Sequence, residues 1–139
     1  MSDTDFAEFR MEPSHDQVAV VHAVAAAIAD ARARGVYRLL VDLRATDGMV
    51  PPTLAQRDKL VTMWARAAAC EVVVAVVAPP SLLDPDRFGE MIAAAAGMRA
   101  EGFADADAAR AWLARQHTAT PRPPVEATSA APAKPQAGP

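Results

Sequence analysis

Cysteine is almost absent from this sequence, in which Cys70 is the only one among 139 residues. A single cysteine cannot form a disulfide within the chain, so nothing in the composition requires an oxidising compartment. The three histidines follow no zinc-binding spacing. The patterns G-x-S-x-G, G-x-x-x-x-G-K-[ST] and G-x-G-x-x-G are also missing, so the sequence contains none of the common motifs for a serine hydrolase or a nucleotide-binding site. We therefore predict no metal ion, no cofactor and no catalytic residues.

Clustered positive charge and long apolar runs are also missing from the sequence. The formal net charge is −3, and no run of lysine or arginine resembles a phosphate-binding stripe, so a nucleic-acid partner is not expected. The longest apolar stretches are shorter than the roughly 18 residues that indicate a membrane span. The acidic start, MSDTDFAEFRMEP, lacks the basic and apolar regions of a signal peptide. These features together predict a cytoplasmic protein.

Apolar residues make up 52% of the chain, and their pattern alternates between strand-like and helix-like. β-rich runs predict strands at 6–11, 36–44, 71–78 and 98–103. Ser14 with Gln17, and Thr53 with Gln56, have the spacing of a capping box at a helix start. Two further helices are expected to begin at caps formed by Asp84 and Asp105. The side chains expected on the inner face of the third helix are Phe88, Met91, Ile92 and Ala95.

This alternation predicts an α/β domain at 1–116, with a mostly parallel sheet of four to five strands and helices mainly on one face. Residues 117–139 form a tail rich in proline and alanine. It has too few large apolar side chains to offset its ordering entropy, so we predict that it is disordered.

Charged side chains follow the predicted strands, where parallel topology gathers the loops at one edge of the sheet. Arg44 ends the strand at 36–44 and Asp47 lies beyond it, and Asp84 and Arg87 follow the strand at 71–78. Ligands of open α/β sheets bind at this edge, so these four residues are candidates for contact with a partner or ligand. Alternatively, Asp84 only caps a helix, and the arginines only pair with neighbouring carboxylates.

Two threonines in the first of these loops are candidate phospho-acceptors. A phosphate on Thr53 would lie against free backbone N–H groups and the positive end of the second helix. The simpler interpretation is that Thr53 caps that helix, because its spacing from Gln56 already accounts for the residue type. Thr46 is expected to be exposed and is the other candidate.

Three stretches combine into a recognisable pattern: RLLVDLRATDG (38–48), APPSLLDPDRFGEMIAAAAGM (78–98) and FADADAARAWL (103–113). They resemble STAS domains, in the SpoIIAA-like bacterial branch that is sometimes described together with SEC14-like domains. The resemblance covers about 14–115 and implies a four- or five-stranded sheet. It also implies a regulatory domain that binds a protein partner, in some relatives switched by phosphorylation of a serine at a helix start. This chain has threonine, not serine, in that region.

Two functions are consistent with these observations. The first is a non-enzymatic regulatory or protein-interaction domain that contacts its partner through the loops at the carboxyl ends of the strands and the second helix. Such a domain could also form a homodimer through an unpaired sheet edge. The alternative is a small-molecule or lipid-binding module with a pocket between helices and sheet, although alanine-rich helices leave little room for one of several hundred Å3.

Overall fold

A computed structural model describes residues 6–83 and 86–116, which contain four strands and four helices in alternation. The elements are β1 (Ala7–Arg10), α1 (Gln17–Ala33), β2 (Arg38–Asp42), α2 (Leu54–Ala68), β3 (Val73–Val77), α3 (Phe88–Ala95), β4 (Ala100–Phe103) and α4 (Ala106–Ala114). This confirms the α/β class. The predicted disordered tail at 117–139 lies outside the described residues.

The sheet is entirely parallel, and its strands follow the order of the sequence, β1-β2-β3-β4. Each connection therefore steps in the same direction across the sheet. Because such crossovers share one hand, successive helices come to lie on the same face. α1, α2 and α3 accordingly pack on one face, here called the three-helix face, and α4 alone covers the other, the single-helix face. The prediction of helices mainly on one face is confirmed.

Successive side chains of the central strands point to opposite faces of the sheet. On β2, Leu39 and Val41 point toward the three-helix face, whereas Leu40 points toward α4. All three are almost fully buried, as the continuous apolar run of a central parallel strand predicts. Between α1 and α2, the indole N–H of Trp64 donates to the carbonyl oxygen of Val21 at 3.0 Å. This hydrogen bond satisfies the polar end of a large buried side chain.

The single-helix face has an apolar centre and a polar border. Leu113 and Ala109 of α4 are fully buried against the sheet, and the rings of Phe103 and Trp112 pack with centroids 5.8 Å apart. Two contacts at the border are polar and cross long stretches of sequence. Nη2 of Arg110 lies 3.0 Å from Oε2 of Glu8, and the guanidinium of Arg38 donates to the carbonyl oxygen of Gln116.

Helix starts agree with the sequence patterns in two cases and differ in two. Thr53 and Gln56 form the predicted capping box on α2, and Asp105 caps α4 by accepting from the N–H of Ala108 at 2.9 Å. The capping box predicted for Ser14 is wrong. α1 is capped instead by Asp16, which accepts from the N–H of Ala19, while the hydroxyl of Ser14 accepts from the N–H of Asp16.

The predicted start of α3 after Asp84 is also wrong, although Asp84 itself lies outside the described residues. The helix begins at Phe88, because Arg87 adopts a left-handed conformation (φ 57°) that a helix cannot contain. The inner face of the helix also differs from expectation. Phe88 and Met91, expected inside, are 41% and 61% exposed, and Ala95 is exposed too, whereas Ala93 is buried. Of the four expected residues, Ile92 packs against the core.

Candidate functional site

Asp42 and Arg44, at the carboxyl end of β2, form a closed ion pair. Asp42 is 5% exposed, and its two carboxylate oxygens accept from Nε and Nη2 of Arg44 at 3.0 and 2.7 Å. The backbone N–H of Arg44 adds a third hydrogen bond, and Nε of Arg10 lies 3.6 Å away. The hydrogen bond from Arg44 is the main cause that lowers the pKa of Asp42, and burial opposes it. A predicted partner-binding arginine is thus already engaged inside the chain.

The loop after β2 places Thr46 and Asp47 very differently. Thr46 is fully buried, and its hydroxyl donates to the carbonyl oxygen of Leu43 at 2.6 Å. The expectation that Thr46 is exposed is therefore wrong, because a short 3-10 turn at Arg44–Thr46 folds its side chain inward. Asp47 is exposed, and its carbonyl oxygen accepts from Nε2 of His15 at 3.1 Å. That contact ties the loop to the chain just before α1.

Thr53 is exposed, and both of its capping hydrogen bonds are formed. Its hydroxyl accepts from the N–H of Gln56 at 3.1 Å, and the side-chain oxygen of Gln56 accepts from the N–H of Thr53 at 2.9 Å. This geometry accounts for the residue types at both positions. Phosphorylation of Thr53 stays a prediction from sequence.

Arg87, the second predicted arginine, connects α3 to the outer strand β4. Its Nη1 lies 2.7 Å from Oε1 of Glu90 and 3.6 Å from Oε2 of Glu101. The other oxygen of Glu90 accepts from the backbone N–H of Gly102 at 3.0 Å. The hydrogen bond and the charge of Glu90 are the main causes that raise the pKa of the Arg87 guanidinium, and the charge of Glu101 adds to them. The start of α3 is thereby fixed against the edge of the sheet.

The described members of the predicted cluster, Arg44, Asp47 and Arg87, have different neighbours. Arg44 has Asp42, Asp105 and Glu8 as its electrostatic neighbours, whereas Arg87 has Glu90 and Glu101. Asp47 meets His15 through its backbone, and Asp84 lies outside the described residues. Among the described residues, the structure does not bring Arg44 and Arg87 into one site.

A cavity of about 210 Å3 lies between the sheet and the helices of the three-helix face. The residues after β2 and β3 reach it through Leu43, Met49, Ala78 and Leu82, so it extends toward the carboxyl ends of the strands. Its apolar lining also includes Val20, Leu60, Val61, Trp64, Leu83, Ala93 and Met98. Sequence reasoning placed ligands at this end of the sheet but identified none of these lining residues as a site.

The small side chains of α3 explain why this space is unfilled. Gly89 and Ala93, one helical turn apart, are the residues of α3 that line the cavity beside Glu90. The large side chains Phe88 and Met91 point outward instead. The signal available in the sequence was this pair of small residues at i and i+4, which share one face of a helix.

Polar groups are confined to a few positions of the lining. Gln17, Arg57, Arg87, Glu90 and Glu101 supply them. Nε2 of Gln17 lies 3.5 Å from the carbonyl oxygen of Val50, and this contact brings the start of α1 to the loop before α2. Apolar side chains are exposed in this region, since Val18 is 64%, Val50 76% and Leu54 57% exposed. A mainly apolar lining with a small number of polar groups is typical of small-molecule sites.

The described residues contain no helix long and apolar enough to cross a membrane. Within 6–83 and 86–116, histidine, cysteine and acidic side chains also form no group of three or more that could hold a metal ion. The chain matches no protein-family model, no curated protein and no solved structure. Its resemblance to SpoIIAA-like STAS domains therefore stays a prediction from sequence motifs.

Proposed function

We propose that this protein is a non-enzymatic binding module whose ligand is a small, mainly apolar molecule held in the cavity of the three-helix face. The observation that carries the proposal is an apolar space of about 210 Å3 at the end of the sheet. The space is open to solvent, as the exposed lining residue Arg87 shows. A ligand that covered its apolar lining would remove that surface from water, which is favourable.

The size of the cavity limits the class of ligand. Pockets for drug-sized molecules occupy roughly 300–1,000 Å3, so this one suits a smaller occupant. One water molecule takes about 30 Å3 of liquid volume, so a cavity of about 210 Å3 has space for roughly seven non-hydrogen atoms. Trp64, Met49 and Met98 would surround an aliphatic or aromatic body of that size.

The polar positions of the lining suggest how the ligand is oriented. Arg87 and Glu90 line the cavity while paired with each other at 2.7 Å, and Gln17 and Arg57 lie at the α1 and α2 side. A ligand with a single polar group can hydrogen-bond there while its body stays among apolar side chains. The proposed ligand class is thus a short amphiphile.

Methionine methyl groups provide a direct test, with hexanol as the probe. Met49 and Met98 line the cavity, whereas Met11, Met63 and Met91 do not. Isotope labelling of methionine methyl groups lets a solution NMR titration follow all of them at once. We expect saturable shifts of the Met49 and Met98 signals and unchanged signals for the other three. Equal shifts in both groups, or none in either, would contradict the proposal.

A pair of variants separates cavity binding from surface adsorption. Ala93→Leu places a larger side chain in the cavity, while Ala95→Leu adds the same side chain to an exposed position of α3. Ala93→Leu should weaken the binding of hexanol at least about tenfold. Ala95→Leu should bind hexanol as tightly as the natural chain does. If both variants keep the natural affinity, the ligand site is elsewhere.

A protein partner is the second candidate function, and the exposed side chains of Val18, Val50 and Leu54 favour it. Exposed apolar residues that lie together often mark interaction surfaces. The test is a pulldown with the purified chain and with a Val50→Ser, Leu54→Ser double variant. Met91→Ser, which alters an equally exposed residue of α3, is the control. A discrete protein that is captured by the control but not by the double variant would support this function; equal capture by both would contradict it.

A further inference from the structure

The two outer strands of the sheet present their free edges in different ways. Along β4, the carbonyl oxygens of Arg99, just before the strand, and of Phe103 accept from the N–H groups of Val74 and Ala78. Successive residues of a strand direct their backbone groups to opposite sides, so Gly102 directs its N–H away from β3. That N–H donates to Glu90, which closes part of this edge. In β1, the N–H of Met11 donates to the carbonyl oxygen of Asp42. Because the direction alternates along a strand, Glu8 and Arg10 direct their backbone groups outward.

No strand of the described chain pairs with this outer side of β1. The strand contains no proline, which would block pairing at this edge. Its two charged residues, Glu8 and Arg10, have opposite signs, so they repel most partner strands but can complement one of suitable charge. Its outward backbone N–H and C=O groups are therefore a template for another strand. An edge of this kind is used either by a peptide or by a second copy of the same chain.

We propose that β1 pairs antiparallel with β1 of a second copy, with the two-fold axis at Phe9. Two-fold symmetry requires the antiparallel direction, because the same strand edge must face itself. In this register Glu8 of each copy is hydrogen-bonded opposite Arg10 of the other. Phe9 lies opposite Phe9 in the intervening pair, where Cα atoms come closest. The result is a continuous sheet of eight strands, four from each copy.

Charge complementarity favours both the second copy and this register. Opposite charges directly across two strands are stabilising, and like charges are destabilising. A shift of two residues in one direction places Glu8 opposite Glu8, and the reverse shift places Arg10 opposite Arg10. Only the register centred on Phe9 pairs the two signs twice, once on each side of the axis.

The side chains are already placed for this contact. Arg10 is 70% exposed at its side chain, and its Nε lies 3.6 Å from Oδ2 of Asp42. Glu8 accepts from Arg110 at 3.0 Å on the same face. In the dimer, Arg10 of one copy lies between its own Asp42 and Glu8 of the other copy, so positive and negative groups alternate across the interface. No residue of β1 lines the cavity, and the dimer is thus independent of the proposed ligand site.

Complementary variants test the pairing. Glu8→Arg gives a strand with two positive charges, and Arg10→Glu gives one with two negative charges. Each variant alone should be a monomer, with the dimer dissociation constant raised at least about tenfold. An equimolar mixture should form a dimer, because the pairs opposite each other again have opposite signs. Light scattering after size exclusion measures the mass, which is 14.6 kDa for one chain and twice that for the dimer.

Two controls separate this interface from other causes. Arg66→Glu changes the net charge like Arg10→Glu but lies at an exposed position of α2, so it should remain dimeric. Should a β1 variant fail to fold, isotope-filtered NMR on mixed labelled and unlabelled natural chains gives the answer directly, through a contact between the Hα protons of Phe9 in two copies. A natural chain that is monomeric, a dimer without that contact, or a folded variant mixture that stays monomeric would overturn the proposal.

Discussion

The two faces of the sheet are covered in different ways. Three helices lie on one face, yet that face contains the cavity. On the other face α4 alone buries Leu40, Ala75 and Val77 to 1% exposure or less. Two ion pairs lie at the border of the single-helix face: Arg110 of α4 pairs with Glu8, and Arg44 pairs with Asp42. The number of helices therefore does not decide how completely a face is filled. The size of the side chains that point inward decides it.

The largest expected effect comes from removing the central side chain of the single-helix face. Leu113 is fully buried in α4, and Leu113→Ala should lower the free energy of unfolding by about 3 kcal/mol. Leu54→Ala is the control, because Leu54 is 57% exposed in α2, and it should change the free energy by less than about 1 kcal/mol. Denaturant unfolding of both variants provides the measurement. Equal losses would mean that α4 is not closely packed on the sheet.

The same substitution on the two faces gives the sharpest comparison. Ala109 and Ala93 are both buried to 1% exposure or less, but only Ala93 lines the cavity. Ala109→Leu should destabilise the fold by about 2 kcal/mol through overpacking, whereas Ala93→Leu should be neutral or stabilise it by up to about 1 kcal/mol. Thermal unfolding, followed by circular dichroism, compares the two. A loss at Ala93 as large as that at Ala109 would show that the cavity is not available space.

A smaller effect is expected at the border of the single-helix face. Asp42→Asn weakens the hydrogen bonds to Arg44 and should cost about 1.5 kcal/mol, near the lower limit for charged hydrogen bonds because Arg44 is half-exposed. In the folded protein the hydrogen bond from Arg44 holds the pKa of Asp42 below its ordinary value, so this contribution is fully present above the ordinary pKa of an aspartate. It is lost as the pH falls through the lowered pKa.

The measurement is the free energy of unfolding of the natural chain and of Asp42→Asn from neutral to acidic pH. It shows whether the contribution of Asp42 is lost or gained as the pH falls. The difference between the two proteins should be constant near neutral pH and should narrow in acid. A difference that grew on acidification would mean that Asp42 is not held as a carboxylate by Arg44.

Local patterns predicted much of the fold. The valine-rich run before Ala78 indicates a buried strand by composition alone, and the box of Thr53 with Gln56 depends on groups three residues apart. Asp105 is a similar case, since its partner N–H is at Ala108. In these places the sequence neighbours and the structural neighbours are the same residues.

The failures have the opposite cause, because distant contacts decide them. Gln17, expected in a capping box with Ser14, reaches toward Val50 instead. Arg87 takes a left-handed conformation where its side chain meets Glu90 and the distant Glu101. The sequence allowed a pocket between helices and sheet but did not identify its apolar lining, since an unfilled volume is a property of several elements together and not of any one helical pattern.

The contact of Arg38 with the carbonyl oxygen of Gln116 has a practical consequence. Arg38 begins β2, so the described chain ends beside the amino edge of the sheet. The cavity extends toward the opposite edge. At Gln116 the described chain therefore lies on the opposite side of the sheet from Leu43 and Ala78 of the cavity lining. A fluorophore introduced at that position would leave the side of the cavity formed by the residues after β2 and β3 uncovered.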